Sequence, residues 1–129
     1  MKLHPDTPQA SYHITAHGDG FVDVNQQRYR SGICVVADTA PQPWGAGGFD
    51  GLTEPDFDAL AGLGAEVVLI GTGVRQRFPR PALLRRLIAA GIGYEVMSTA
   101  AACRTYNVLV GEGRRAAAAL VIDAAPDHL

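Results

Sequence analysis

Residues 95–114, EVMSTAAACRTYNVLVGEGR, place Cys103, Arg104, Tyr106, Asn107, Glu112 and Arg114 in one short stretch. A cysteine can be a nucleophile, but only with a depressed pKa and a base nearby. His13 and His17 lie far back in the chain, and His4 and His128 sit at its two ends. A buried, inert thiol fits Cys103 better. Thr99, Cys103, Tyr106 and Val110 recur at helical spacing and are expected to face inward. Arg104 and Asn107, three apart on another side, could share a ligand or a loop carbonyl. The segment therefore reads as a structural helix, and no catalytic residue is assigned in it.

Gly71-Thr72-Gly73 follows an apolar run, as the glycines of a dinucleotide-binding turn do, and Glu95 lies where a ribose-binding acid would be sought. Gln76 stands in place of the third glycine, however, and VRQRFPR intervenes before any helix. No Walker-type lysine follows either. The alternative is a strand-to-loop turn that needs glycine for conformation or close packing.

From 71 to 94 the chain carries Arg75, Arg77, Arg80, Arg85 and Arg86 and no acidic residue. Arg75 and Arg77 follow a strand's carboxyl end, where α/β sheets bind ligands, and the N–H groups of Gly73 and Val74 could add to an anion site. An anionic small molecule and an acidic protein partner are the two functional readings. A solvated helix face with ordinary loop arginines is the plain one. Nucleic acid is disfavoured because no aromatic residues interleave with the arginines for stacking. Trp44 and Phe49, among glycines, suit either buried anchors or an exposed recognition patch. His13 and His17 would stand more than about 12 Å apart along a strand at about 3.3 Å per residue, so no shared metal is expected.

The elements that must position these residues follow from the pattern. YHIT, GFVDV and QRYR, broken by Gly18, Asp19, Gly20 and Asn25, predict short antiparallel strands. GICVVAD, 32–38, predicts a better strand, and 38–53 a long loop. Thr53 caps a helix with Pro55 in its first turn, Phe57, Leu60 and Leu63 on one face, and Gly62 or Gly64 at its end. Val67–Ile70 form a strand covered on both faces. RPALLRRLIAAG predicts a helix with Leu83, Leu84, Leu87 and Ile88 inward and Gly91 as its cap. IGYEVM is a strand, Ser98 or Thr99 caps a helix to about Val110, and RRAAAALVID closes as a strand. This alternation means α/β with at least two parallel strands, plus an N-terminal antiparallel β element.

The chain has 129 residues, the size of one domain; it is 47% hydrophobic and 19% charged, with net charge −2. That balance argues against a general nucleic-acid binder. Lys2 is the only lysine, and the wealth of Arg, Ala and Gly suggests a bacterial genome rich in GC. The two cysteines, Cys34 and Cys103, form no Cys-x-x-Cys pair, so no zinc site is expected. No apolar run approaches the roughly 20 residues of a membrane span. The N-terminus lacks a signal peptide's apolar stretch. A single cytoplasmic domain over 1–129 is therefore expected, with loose tails at 1–10 and 124–129.

The order VVLIGTG, a proline-marked helix start, GIGYEVMSTAAACRTYNVLVGEGR and a closing AAAALV resembles the Mth-type family of domains of unknown function, over about Tyr12 to Ile122. Trp44 before LTEPDF fits as well. The resemblance implies a three-layer α/β domain with a central mixed, partly parallel sheet and an added β layer. It implies no reaction and no cofactor. Eukaryotic members of that family include a mitochondrial complex I assembly factor, so the resemblance implies a protein partner of the kind of a respiratory-complex subunit. A homodimer is the default for a small domain of this kind. The residues singled out for ligand or partner contact are Trp44, Gly71, Thr72, Gly73, Arg75, Arg77, Arg104 and Asn107.

Overall fold

The computed structural model describes residues 11–124, so the expected loose arm at 1–10 and tail from 125 onward lie outside the described residues. Three short strands open the fold: β1 (Ile14–Gly18), β2 (Phe21–Val24) and β3 (Gln27–Tyr29), an antiparallel sheet in that order. Val24 pairs with Gln27, and the two residues between, Asn25 and Gln26, both have positive φ. That is the mirror-image turn whose twist matches a hairpin.

The larger sheet has the order β5-β4-β8-β6-β7. It comprises β4 (Ile33–Val36), β5 (Thr39–Pro43), β6 (Val67–Gly71), β7 (Gly93–Met97) and β8 (Ala116–Leu120). β6 is parallel to both β7 and β8, while β4 is antiparallel to β5 and β8. The sheet is thus mixed and partly parallel. β5 occupies what the sequence predicts as the start of a loop. Pro41 and Pro43 disguise it, yet an outermost strand tolerates prolines because its outer N–H groups pair with nothing.

Helix α1 (Glu54–Ala61) begins at Thr53, whose N–H donates to the Asp56 carboxylate at 2.8 Å. It stops before Leu63, which is exposed and not part of the inner face the sequence suggests. The next helical segment starts as a 3₁₀ turn over Pro81–Leu84 and continues as α2 (Arg85–Ala89). Tighter winding in that first turn shifts the phase of the apolar stripe. Leu83, Leu84 and Leu87 stay buried, whereas Ile88, expected inside, is 58% exposed. Helix α3 (Thr99–Gly111) is capped by the Ser98 hydroxyl, which accepts from the Ala101 N–H.

Two cores lie on the two faces of the larger sheet. Along β6 and β8 successive residues alternate between them: Leu69, Ala118 and Leu120 face one, Val68, Ile70, Ala117 and Ala119 the other. The first core is covered by Cys103 and Tyr106 of α3 and by Ile14, Val22 and Val24 of the small sheet. The second is covered by Phe57 and Leu60 of α1, by Leu83, Leu84 and Leu87, and by Trp44. The alanines of β8 leave room on both faces for Tyr106 and Phe57, both fully buried. The result is helices, a central mixed sheet, and a further layer of helix and β-sheet. Among the described residues no helix is long and apolar enough to cross a membrane.

Candidate functional site

The carboxyl ends of the parallel strands β6, β7 and β8 meet at Gly71, Met97 and Leu120, where open α/β sheets place ligands. Gly71 has no space for a side chain: a Cβ there would stand 2.9 Å from the Thr99 Cα and 3.1 Å from Leu120 Cδ2. Its smallness lets the first turn of α3 sit against the strand end. Gly73 has φ of 105°, a conformation that favours glycine.

The donors of this turn are occupied from within the chain. The Gly73 N–H donates to Thr99 Oγ1 at 2.8 Å, and the Thr99 hydroxyl donates to the Val121 carbonyl at 2.6 Å. The Val74 N–H donates to the Asp123 carboxylate at 3.1 Å. Asp123 therefore fills the position an anion would take, and any phosphate would have to displace a carboxylate already there. Thr72 is fully buried; its hydroxyl accepts the Arg77 N–H at 2.9 Å and lies 2.8 Å from the Arg75 carbonyl, to which it donates. A groove of about 150 Å³ remains outside, between His17–Val22 of the first hairpin and Gly73, Val74, Thr99 and Asp123.

Arg77 turns back onto the domain. Its guanidinium donates to the Thr72 carbonyl at 3.0 Å and lies 4.4 Å from the centre of the Phe49 ring, while its buried Nε has no partner among the described residues. Arg75 points outward. Trp44 is buried: its indole N–H donates to the Asp56 carbonyl at 2.8 Å and its ring meets Phe57 edge-on at 5.7 Å. Trp44 and Phe49 thus pin the glycine-rich loop to the second core.

Asn107 and Arg104 stand elsewhere. The Asn107 amide accepts the Ile14 N–H at 3.0 Å and donates to the Ile14 carbonyl at 2.7 Å, clasping β1 where its register shifts. The Tyr106 hydroxyl donates to the Tyr12 carbonyl at 2.9 Å. Arg104 is exposed beside a shallow depression lined by Ile14–His17, Cys103 and Asn107. That depression shares His17 with the groove at Gly73 and nothing else. Trp44, Gly71–Gly73, Arg75, Arg77, Arg104 and Asn107 are therefore distributed over several places in the fold. Burial pushes the Cys103 thiol up to about 12 against the opposing pull of Arg104, and burial pushes Cys34 to about 12 as well. Both shifts run opposite to nucleophile activation.

The apolar part of the arginine-bearing surface, which the sequence does not single out, lies beside the edge strand β7. Phe78 is 73% exposed and Val74 79%, in a loop that also carries Arg75 and Arg80. Neither Arg75 nor Arg80 has a carboxylate partner among the described residues, whereas Arg85 and Arg86 reach Glu54 and Asp58 of α1 at 2.9 and 3.8 Å. A depression of about 380 Å³ runs from Phe78 past Pro81, Leu84 and Ile88 to Tyr94 and Val96. The signal in the sequence was an aromatic residue before proline within an arginine-rich loop, RQRFPRP.

Relatives of the chain agree with this architecture. NADH dehydrogenase [ubiquinone] 1 alpha subcomplex assembly factor 3 of Bos taurus is 36% identical over 121 residues, 92% of this chain and 65% of its own length. A crystal structure of a Bordetella parapertussis protein superposes with a TM-score of 0.84 at 41% identity, covering 92% of this chain and all of that one. The solution structure of a Bordetella pertussis protein described as a Mth938-like domain gives 0.80 at 35% identity, covering 97% and 94%. The family described as "protein of unknown function (DUF498/DUF598)" matches residues 14–121. By that match and these relatives, the chain belongs to the DUF498/DUF598 family of Mth938-like domains.

Proposed function

We propose that this chain is a non-catalytic accessory protein that acts through contacts with another protein, in the assembly of the respiratory NADH:ubiquinone oxidoreductase. The observation that carries the reading is the loop 75–80, where Phe78 stands exposed beside Arg75 and Arg80. Exposed apolar side chains rimmed by charge mark protein contacts. The name of the bovine relative points the same way, although this chain spans only 65% of that protein. A small anionic ligand at Gly71–Gly73 is the competing reading. It is weakened by Thr99 and Asp123, which hold the turn's N–H groups.

The test is a tagged pull-down from the native host with protein identification by mass spectrometry, using Arg75→Glu with Arg80→Glu as the control. Arg77 is unsuitable for that control, because reversing its charge would also strip the Thr72 carbonyl and the Phe49 ring of their partner. Recovery of respiratory-complex subunits by the wild type and their loss in the folded control is the expected result. Equal recovery by both proteins would remove this surface, and recovery of unrelated proteins would remove the assembly role.

A further inference from the structure

β7 is an outermost strand of the larger sheet. Gly93 donates to the Glu66 carbonyl and Met97 accepts from the Thr72 N–H, so Gly93, Glu95 and Met97 pair with the β6 side. In a parallel ladder alternate residues turn to opposite edges, which leaves the N–H and C=O groups of Tyr94 and Val96 facing out. One of these, the Val96 carbonyl, accepts a bond of 2.8 Å from the Gln76 side-chain amide. Gln76 thus holds the acceptor that a neighbouring strand's N–H would use, and an incoming strand has to displace this exposed side chain.

The side chains of the same two residues line the apolar depression. Tyr94 and Val96 pack toward the second core, and beyond them Phe78, Pro81, Leu84 and Ile88 form its other walls. An incoming strand that bonds to Tyr94 and Val96 would drop every second side chain into that space. Phe78 and Ile88, exposed now, would be covered.

Charge selects the occupant. The loop that borders the depression carries Arg75 and Arg80, neither in an ion pair among the described residues, and residues 71–94 contain no acid; Asp50 shares the neighbouring depression with Arg80 and Phe78. Glu95 belongs to the alternate set on β7 and faces away from the depression. Pairing two copies of this chain through β7 would bring two sets of these arginines together, a like-charge contact. We infer that β7 and the groove from Phe78 to Val96 form a strand-addition site for an extended segment of another protein. That segment has apolar residues at alternate positions and carries carboxylates. The inference rests on the protein-contact reading above and specifies how that contact is made.

A synthetic peptide, acetylated and amidated, of sequence Glu-Glu-Val-Thr-Val-Thr-Val-Glu-Glu serves as the probe, titrated by fluorescence anisotropy and followed by amide NMR. The wild type should bind it with shifts confined to 74–81 and 92–98. Lysine in place of every glutamate should weaken binding about tenfold or more, as should N-methylation of the valine and threonine amides, which covers both strand directions. Phe78→Glu and Ile88→Glu, both surface changes, should do the same without lowering the melting temperature. No binding up to about 1 mM, or equal affinity for the N-methylated peptide, overturns the inference. Self-association of the wild type that Phe78→Glu abolishes would assign the edge to a second copy and overturn it also. Peptide binding and pull-down report separately. If Arg75→Glu with Arg80→Glu ends partner capture while Phe78→Glu and Ile88→Glu leave it intact, the protein-contact reading stands and strand addition falls. If the peptide binds as described but no respiratory-complex subunit is captured, strand addition stands without the assembly role.

Discussion

At the scale of single residues, the polar groups of the α3 segment are fastenings. Thr99 joins the β6 turn to the end of β8, Tyr106 holds the Tyr12 carbonyl, and Asn107 holds both backbone groups of Ile14. Asn107→Ala would leave Ile14 with an unpaired donor and acceptor in a partly buried place, at a cost of about 1–3 kcal/mol in urea unfolding. Stability unchanged within about 0.5 kcal/mol would mean that water replaces the amide freely. The thiols give a second test. Both are pushed to about 12 by burial, while an unfolded thiol titrates near 9. Below pH 9 the folded and unfolded states bind the same thiol protons. Between about 9 and 12 the unfolded chain loses protons that the folded chain keeps, so stability falls as pH rises, by up to about 1.4 kcal/mol per pH unit for each thiol. Serine at both positions should lessen that alkaline slope, the remainder coming from Tyr106, whose hydroxyl is likewise pushed up by burial, and slow alkylation of the native protein at pH 8 should accompany it.

At the scale of elements, what was legible in the sequence depended on how far local pattern and final role coincided. β6 and β8 were readable because continuous apolar runs belong to strands covered on both faces, and α3 because Ser98 precedes its apolar repeat. β5 was hidden by Pro41 and Pro43, since its role as an edge strand depends on what lies beside it. The inner face of the α2 segment was misread at Ile88 because a 3₁₀ turn precedes the α-helix. Arg77 faces inward and Asp123 takes up the Val74 N–H of the glycine turn through contacts across 5 and 49 residues, which spacing alone does not encode. β8 supplies the prediction at this scale. Ala118 is fully buried between the sheet and α3, so Ala118→Leu overpacks the first core and should lower stability by about 1–3 kcal/mol. A thermal melt unchanged by this substitution would mean that α3 is free to move away from the sheet.

At the scale of the whole molecule, a chain with net charge −2 leaves Arg75 and Arg80 of one loop without carboxylate partners among the described residues, as it leaves Arg30, Arg104 and Arg115 elsewhere in the fold. Arg85 and Arg86 are drawn off by acids of α1, and Arg77 by Thr72 and Phe49, which narrows the basic stretch of the sequence to Arg75 and Arg80 beside an open sheet edge. The glycine turn at the strand ends, where the sequence invites a ligand, closes on itself. Association steered by so few charges is sensitive to salt, so capture of a partner should weaken between about 0.05 and 0.5 M ionic strength as screening grows. Capture unaffected over that range would leave the arginines without a part in recognition.

The most direct measurement is amide hydrogen exchange, read by mass spectrometry, on the protein alone and in complex with the partner it captures. The account predicts new protection over residues 74–81 and 92–97, and none at Gly71–Gly73 or at the depression beside Arg104. Protection confined to the groove between His17–Val22 and Asp123, with the β7 edge unchanged, would contradict it.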